Sequence, residues 1–460
     1  MTLNSGSSGG ATVAVGAIGG SNQIHTVNIT GTDGVTLNGN ITTDNTASAS
    51  VDIAGPVTLG ADITIDTDAT DHGGSITFAS TATINGNQSL TMISGAGDIA
   101  LQGVVGDVTT LSGLSINATD GDDGDIEITD IGDGTPAAGV TGAVSIGNAN
   151  TASLTLDGTR YNTDGTTIYE AVAGSGSIKL TGANVSITTD NDALTFDAGN
   201  IVLSTAGTTT IGTGGGALQI DGTIDGTSSQ AENLTITTGA GSLTIGGTIG
   251  GTNPLTTLSI AGSGAGAIDL AGIGDSDTAG ATGTTTVGNT TTTTLTLSGT
   301  IYKTDDSQTY VAKTGQNIDI TDAATFTTTN DAVAFNTAGV DLINGNAGGA
   351  HTITVDTGTG AGAVTFGGAI ESDGGDDETL TITSGTGTVT FTGALGATQE
   401  LGGLNVNASS GNGIITFTGA IGDTNAPQAG VIGTSNIGNT ATTRIDSVSY
   451  THLRAHETST

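Results

Sequence analysis

Gly362-Ala-Val-Thr-Phe-Gly-Gly-Ala-Ile370, Gly387-Thr-Val-Thr-Phe-Thr-Gly-Ala-Leu395 and Gly413-Ile-Ile-Thr-Phe-Thr-Gly-Ala-Ile421 follow one another at a nearly constant step of about 25 residues. Each alternates apolar residues with Thr over about five positions and then meets Gly. Period-two alternation with β-branched residues describes a half-buried strand, and Gly marks the corner that ends it. Upstream, Gly241-Ser-Leu-Thr-Ile-Gly-Gly-Thr-Ile249 and Gly266-Ala-Ile-Asp-Leu-Ala-Gly-Ile273 repeat the pattern at the same step. One such unit cannot bury its apolar face alone. Stacked on the next, its Val, Ile, Leu and Phe positions form a continuous interior column while Thr and Asp face water. The expected fold is all-β, a parallel β-solenoid of about 25-residue coils. The alternative is a row of antiparallel β-sandwich modules, whose strands have no reason to recur at a fixed step.

A longer period contains the short one. Ser89-Leu-Thr-Met-Ile-Ser-Gly-Ala-Gly97 returns as Asn233-Leu-Thr-Ile-Thr-Thr-Gly-Ala-Gly241 and Thr379-Leu-Thr-Ile-Thr-Ser-Gly-Thr-Gly387, at offsets of 144 and 146. Ile146-Gly-Asn148 returns as Val287-Gly-Asn289 and Ile437-Gly-Asn439. Tyr161, Tyr302 and Tyr450 are equivalent, as are Tyr169 and Tyr310, which places all 5 Tyr. Long repeats of about 145 residues divide the chain into a truncated start (1–26), copies 27–142, 143–283 and 284–433, and the opening of a fourth copy (434–450). Residues 451–460 break the texture: Tyr450-Thr-His-Leu-Arg-Ala-His-Glu-Thr-Ser-Thr460 resembles translated sequencing-adapter nucleotides, so a non-native tail is expected there and no function is placed on it.

Composition narrows the function classes. Across 460 residues there are 79 Gly, 4 Pro and no Cys or Trp, and the Gly positions follow no collagen rule. Six Lys and Arg stand against 44 Asp and Glu, a formal net charge of −38. Such a field repels phosphate backbones and anionic membranes, which argues against nucleic-acid and membrane partners. No apolar run is long enough to insert as a transmembrane helix. Seven acids are Glu and the rest Asp, a turn former, so many corners and little helix are expected.

Candidate chemistry sits in the corners. Asp120, Asp122, Asp123 and Asp125, and separately Asp373, Asp376 and Asp377, concentrate carboxylates in loops, and calcium is the metal such hard oxygens suit. Neither an EF-hand spacing nor serial calcium-roll nonapeptides accompany them, and no other cofactor is implied. Asn162-Thr-Asp-Gly165 matches part of the polygalacturonase signature, but that family's Gly-His-Gly and Arg-Ile-Lys elements are missing. A carbohydrate-active β-helix is therefore an alternative to a non-enzyme. Thr155-Leu-Asp-Gly-Thr-Arg-Tyr-Asn-Thr-Asp-Gly-Thr-Thr-Ile-Tyr169 reads as strand, turn, strand, and Leu295 to Tyr310 does the same. A β-hairpin is expected at each, read first as a brace over a sheet edge, with Tyr161, Tyr169, Tyr302 and Tyr310 as a contact patch in the functional reading.

The motifs Leu-Thr-Ile-x-x-Gly-x-Gly and Gly-x-Val-Thr-Phe-x-Gly-Ala-Ile resemble the repeat regions of giant bacterial surface exoproteins, the filamentous-haemagglutinin-like and large adhesin families. The resemblance implies a non-catalytic stalk segment, exported to the bacterial cell surface or extracellular space. Its neighbours would be flanking repeats of the same polypeptide, and its partner a host-cell, matrix or glycan receptor reached by attachment or biofilm cohesion. A calcium-dependent surface-layer element is a further alternative.

Overall fold

Alternation puts every second side chain of a strand on one side, so Val, Ile, Leu and Phe of the repeat must find a common interior. The computed structural model describes the chain except residues 7–9, 21–23, 45–47, 69–72, 118–123, 133–137, 261–265, 337, 343–350, 374–377, 408–409, 423–429 and 448–460. No helix occurs among the described residues, about 48% of them are in strand, and the strands stack in parallel as a β-solenoid. Every described strand pairing is parallel, which excludes the antiparallel sandwich alternative.

Contacts divide the chain into two compact units, Met1–Thr227 with Thr237–Gly241, and Ser228–Ile236 with Ser242–Thr460. In the first unit, three interior columns run through successive coils. One climbs Leu3, Ile29, Ile53, Phe78, Leu101, Ile128, Leu156, Leu180 and Leu203 in direct register. A second passes through Ile65, Met92, Ile116, Ile146, Tyr169 and Phe196. The third joins Val105, Ile131, Tyr161, Ile187 and Ile211.

The second unit is built alike. Its columns are Ile245, Leu270, Leu297, Ile320 and Leu342; Ile236, Ile260, Val287, Tyr310, Phe335, Phe366, Phe391 and Phe417; and Tyr302, Phe326, Val355, Ile382 and Val406. All 7 Phe of the chain are buried. Like residues in register stack ring on ring: Phe335 on Phe366 at 4.9 Å, Phe366 on Phe391 at 5.6 Å, and Phe391 on Phe417 at 4.8 Å between centroids. Offset stacking adds roughly 0.5–1.5 kcal/mol per pair beyond burial.

Corners explain the glycine content. Strands of neighbouring coils lie about 4.8 Å apart, and at a tight corner the backbones approach with no room for a side chain. A Cβ on Gly368, Gly393 or Gly419, one above another, would lie 1.9 to 2.2 Å from backbone atoms of the coil beneath. Asn closes other corners. The N–H groups of Asn148, Asn289 and Asn439 donate to Thr151, Thr292 and Thr442 Oγ1 at 3.0, 3.0 and 2.8 Å, so equivalent residues of the long repeat make the same bond.

Candidate functional site

Asn162-Thr-Asp-Gly165 turns the chain through a solenoid corner, and the hairpin expected there is absent. Strand Arg160–Thr163 pairs in parallel with Ser186–Thr189, whereas Thr167–Leu180 pairs in parallel with Val144–Ile146 and Leu194–Leu203. Alternation then decides the tyrosines. Tyr161 and Thr163 point inward with Arg160 outside, and Tyr169 continues the neighbouring interior column. Tyr161, Tyr169, Tyr302 and Tyr310 are each 0% exposed, so the expected contact patch is corrected: these rings face the interior and offer no surface to a partner.

Their hydroxyls nonetheless do specific chemistry. Tyr161 Oη accepts the Gly158 N–H at 2.8 Å and lies 2.8 and 2.9 Å from the carbonyls of Ile128 and Thr129, to which it donates. Tyr302 repeats this, accepting from Gly299 N–H at 2.9 Å and donating to Leu270 O at 2.8 Å. The equivalents Tyr169 and Tyr310 differ. Tyr310 Oη donates to Gln308 Oε1 at 3.0 Å, and Gln308 Nε2 donates to the carbonyls of Tyr302 and Thr327 and to Thr304 Oγ1 at 2.9, 2.8 and 3.1 Å. Thr167 stands where Gln308 does, and Tyr169 Oη is buried without a hydrogen bond. Burial pushes all four phenols above their ordinary titration range.

That difference is testable. Tyr161→Phe leaves the Gly158 N–H without its acceptor and is expected to cost about 1–3 kcal/mol, whereas Tyr169→Phe deletes an unpaired hydroxyl and is expected to be neutral or stabilising. Urea midpoints of the two variants, compared with the parent chain, read the contrast directly.

Of the carboxylates proposed for calcium, Asp120, Asp122, Asp123, Asp376 and Asp377 lie outside the described residues. Asp125 stands at the foot of strand Ile126–Ile128 with its N–H on Asp98 Oδ1 at 3.0 Å, and Asp373 follows strand Ile370–Ser372. Among the described residues no group of three His, Cys, Asp or Glu side chains is placed to hold a metal ion. Other corner acids act as caps: Asp130 Oδ1 accepts the N–H groups of Thr159 and Arg160 at 2.8 and 2.7 Å. Asp275 does the same for Asp277 and Thr278 at 2.8 and 2.6 Å, and these N–H bonds, Thr278 first, hold its carboxyl below the usual range.

Three arrangements escaped the sequence reading. Glu232 and Glu378, at equivalent places in the long repeat, are both buried; Glu232 accepts from Ser229 Oγ at 3.1 Å and Glu378 from Ser372 Oγ. Both precede a Leu-Thr-Ile strand in a chain with few Glu, a signal that was available. In the first unit an open groove of about 430 Å³ runs over Thr77, Asp98, Asp125, Glu127, Thr155 and Lys179. Burial, then the charge of Asp157 and a hydrogen bond to it, raise the Glu127 carboxyl, while Lys179 Nζ reaches Ser153 Oγ at 3.2 Å. The third is an in-register row of acids, Asp319, Asp341 and Glu371.

No protein-family model matches the chain, and neither do any curated protein or any solved structure.

Proposed function

We propose that the chain is a non-catalytic stalk section of an exported bacterial surface adhesin, acting in attachment or biofilm cohesion through flanking repeats and a receptor-binding region. The observation that carries this reading is how the side-chain chemistry is spent. In each unit the large residues fill interior columns, and Asn, Thr and Tyr side chains, joined by Asp in the first unit, bond the backbone of the coil above or below. Each coil's best partner is the next coil of the same chain. That is the economy of a spacer whose contribution is reach and resistance to unfolding, with recognition placed elsewhere. The short Thr- and Asp-rich outer rows and the charge of −38 keep such a spacer hydrated and discourage lateral sticking.

The test places the chain between a surface anchor and a receptor-binding module on cells that do not otherwise attach. Cells with the intervening chain are expected to capture receptor-coated beads through a dense polysaccharide coat that defeats the anchor-plus-module version. Equal capture by both versions would contradict the spacer role. Reducing-sugar release from acidic and neutral glycans, lost on Asp164→Ala or Asp305→Ala, would instead establish the carbohydrate-active alternative.

A further inference from the structure

At one corner of the second unit, successive coils turn through loops of unequal length. Bridges from Ile249 to Ile273 and from Ile273 to Tyr302 bring the coils into this corner in step. They leave it in step as well, through the bridge from Leu255 to Ala281 and the Asp305 N–H, which donates to the Ala281 carbonyl at 2.9 Å. Between those fixed points the chain spends residues 250–254 in one coil, 274–280 in the next and only 303 and 304 in the one after. The middle loop has to project, and an open cleft of about 560 Å³ lies against it.

The projecting loop is braced within the fold. Asp275 N–H donates to the Thr278 carbonyl at 2.9 Å, and Asp275 Oδ1 in return accepts the N–H groups of Asp277 and Thr278. Gly280 N–H donates to the Lys303 carbonyl at 2.7 Å, and Lys303 Nζ donates to the Ser276 carbonyl at 2.9 Å. A wall held in this way has little ordering entropy left to lose on binding. The lining supplies both hydrogen-bonding roles: the Lys303 ammonium and Gln230 amide donate, and the Asp277 and Asp305 carboxylates accept. Buried Pro254 and Ala279 add apolar surface to it.

We propose that this corner cleft binds a neutral saccharide, held on the side of the solenoid. Anions are turned away by Asp277 and Asp305 and by the formal charge of −38. A cation meets Lys303 here and finds acidic corners without a lysine elsewhere. A sugar carries what the lining complements. Its hydroxyls donate to carboxylates and accept from the ammonium and the amide, and its C–H faces suit Pro254 and Ala279. The cleft also falls within the roughly 300–1,000 Å³ of small-molecule sites, which leaves room for a short stretch of polysaccharide. Such a site lets the chain hold polysaccharide directly, which the spacer role neither requires nor supplies.

Native electrophoresis of the full chain through gels cast with dextran, mannan or mixed-linkage β-glucan, and with polygalacturonate as the anionic probe, tests this. At least one neutral polysaccharide is expected to retard the chain in proportion to its concentration, and polygalacturonate is expected to leave its mobility unchanged. Asp277→Ala and Asp305→Ala alter exposed positions, so each is expected to keep the urea midpoint of the parent chain. Each is also expected to weaken the retardation roughly tenfold, the loss of one hydrogen bond to a charged group. The two variants stand in for each other should one of them shift the midpoint. Retardation by none of the neutral polysaccharides, retardation by polygalacturonate alone, or retardation undiminished in a folded variant overturns the proposal.

Discussion

Gly158→Ala is expected to destabilise the first unit by at least the upper part of the roughly 1–3 kcal/mol range for overpacking. A Cβ at this corner would lie 1.3 Å from the Thr129 carbonyl oxygen and 2.5 Å from Asp130 Oδ1. Neither can retreat. The Thr129 carbonyl accepts from Tyr161 Oη, and Asp130 Oδ1 already holds the N–H groups of Thr159 and Arg160. The same corner N–H is the donor to Tyr161, so a displaced Gly158 also breaks a buried bond. Gly16 is the control: a Cβ there meets nothing within 4 Å, and Gly16→Ala is expected to stay within about 0.5 kcal/mol of the parent. Urea midpoints compare the two. Equal midpoints would mean that corner glycines are present for chain flexibility and that close approach between coils does not require them.

Phe391→Ala carries the second large effect. The ring is 1% exposed and sits between Phe366 and Phe417, stacked on both with interplanar angles of 6° and 7°. Deleting a buried Phe costs roughly 3–5 kcal/mol through lost transfer energy and the cavity left behind, and here two ring pairs are lost with it. Phe391→Leu keeps most of the volume and is expected to cost less than half as much. Coils of a solenoid interact chiefly with nearest neighbours, so the loss should be local. Exchange should accelerate in strands Val364–Phe366 and Ile414–Phe417 while Leu295–Leu297 keeps its protection. Uniform acceleration would show that the unit unfolds as one block.

These columns are legible in the amino-acid sequence alone. Phe366, Phe391 and Phe417 occupy the same place in three consecutive motifs, and a near-constant step from each motif to the next is what stacking in register demands. The corner glycines are equally plain. The tyrosines were misplaced because Asn-Thr-Asp-Gly serves a sharp reversal and a solenoid corner alike. Turn chemistry reports that the chain bends, and only the register of Arg160–Thr163 with Ser186–Thr189 reveals that it bends onward. Counting alternation from Thr163 would have placed Tyr161 inside, since both share one side of the strand.

The in-register row of acids was hidden for a different reason. Asp319, Asp341 and Glu371 are unevenly spaced along the chain, because the connections between their strands differ in length, so a comparison at one fixed step never aligns them. Gln308 was hidden by its equivalent: in the preceding copy Thr167 fills the position, and only the buried amide's bonds to Tyr302, Thr304, Thr327 and Tyr310 reveal what the exchange accomplishes.

Rung-on-rung parallel register in the second unit underlies every contact described above for that unit. Thr309, Ala334, Thr365, Thr390 and Thr416 are paired in sequence along one outward row, and Ser259 and Thr286 extend it below Thr309. Spin labels at Thr416 paired in turn with Thr309, Thr286 and Ser259 measure that row by dipolar coupling. Four, five and six strand spacings predict separations of about 19, 24 and 29 Å, rising by about 4.8 Å per coil. Distances that fail to rise with coil number, or that fall when the partner label moves from Thr309 to Ser259, would contradict the stacked solenoid and everything argued from it.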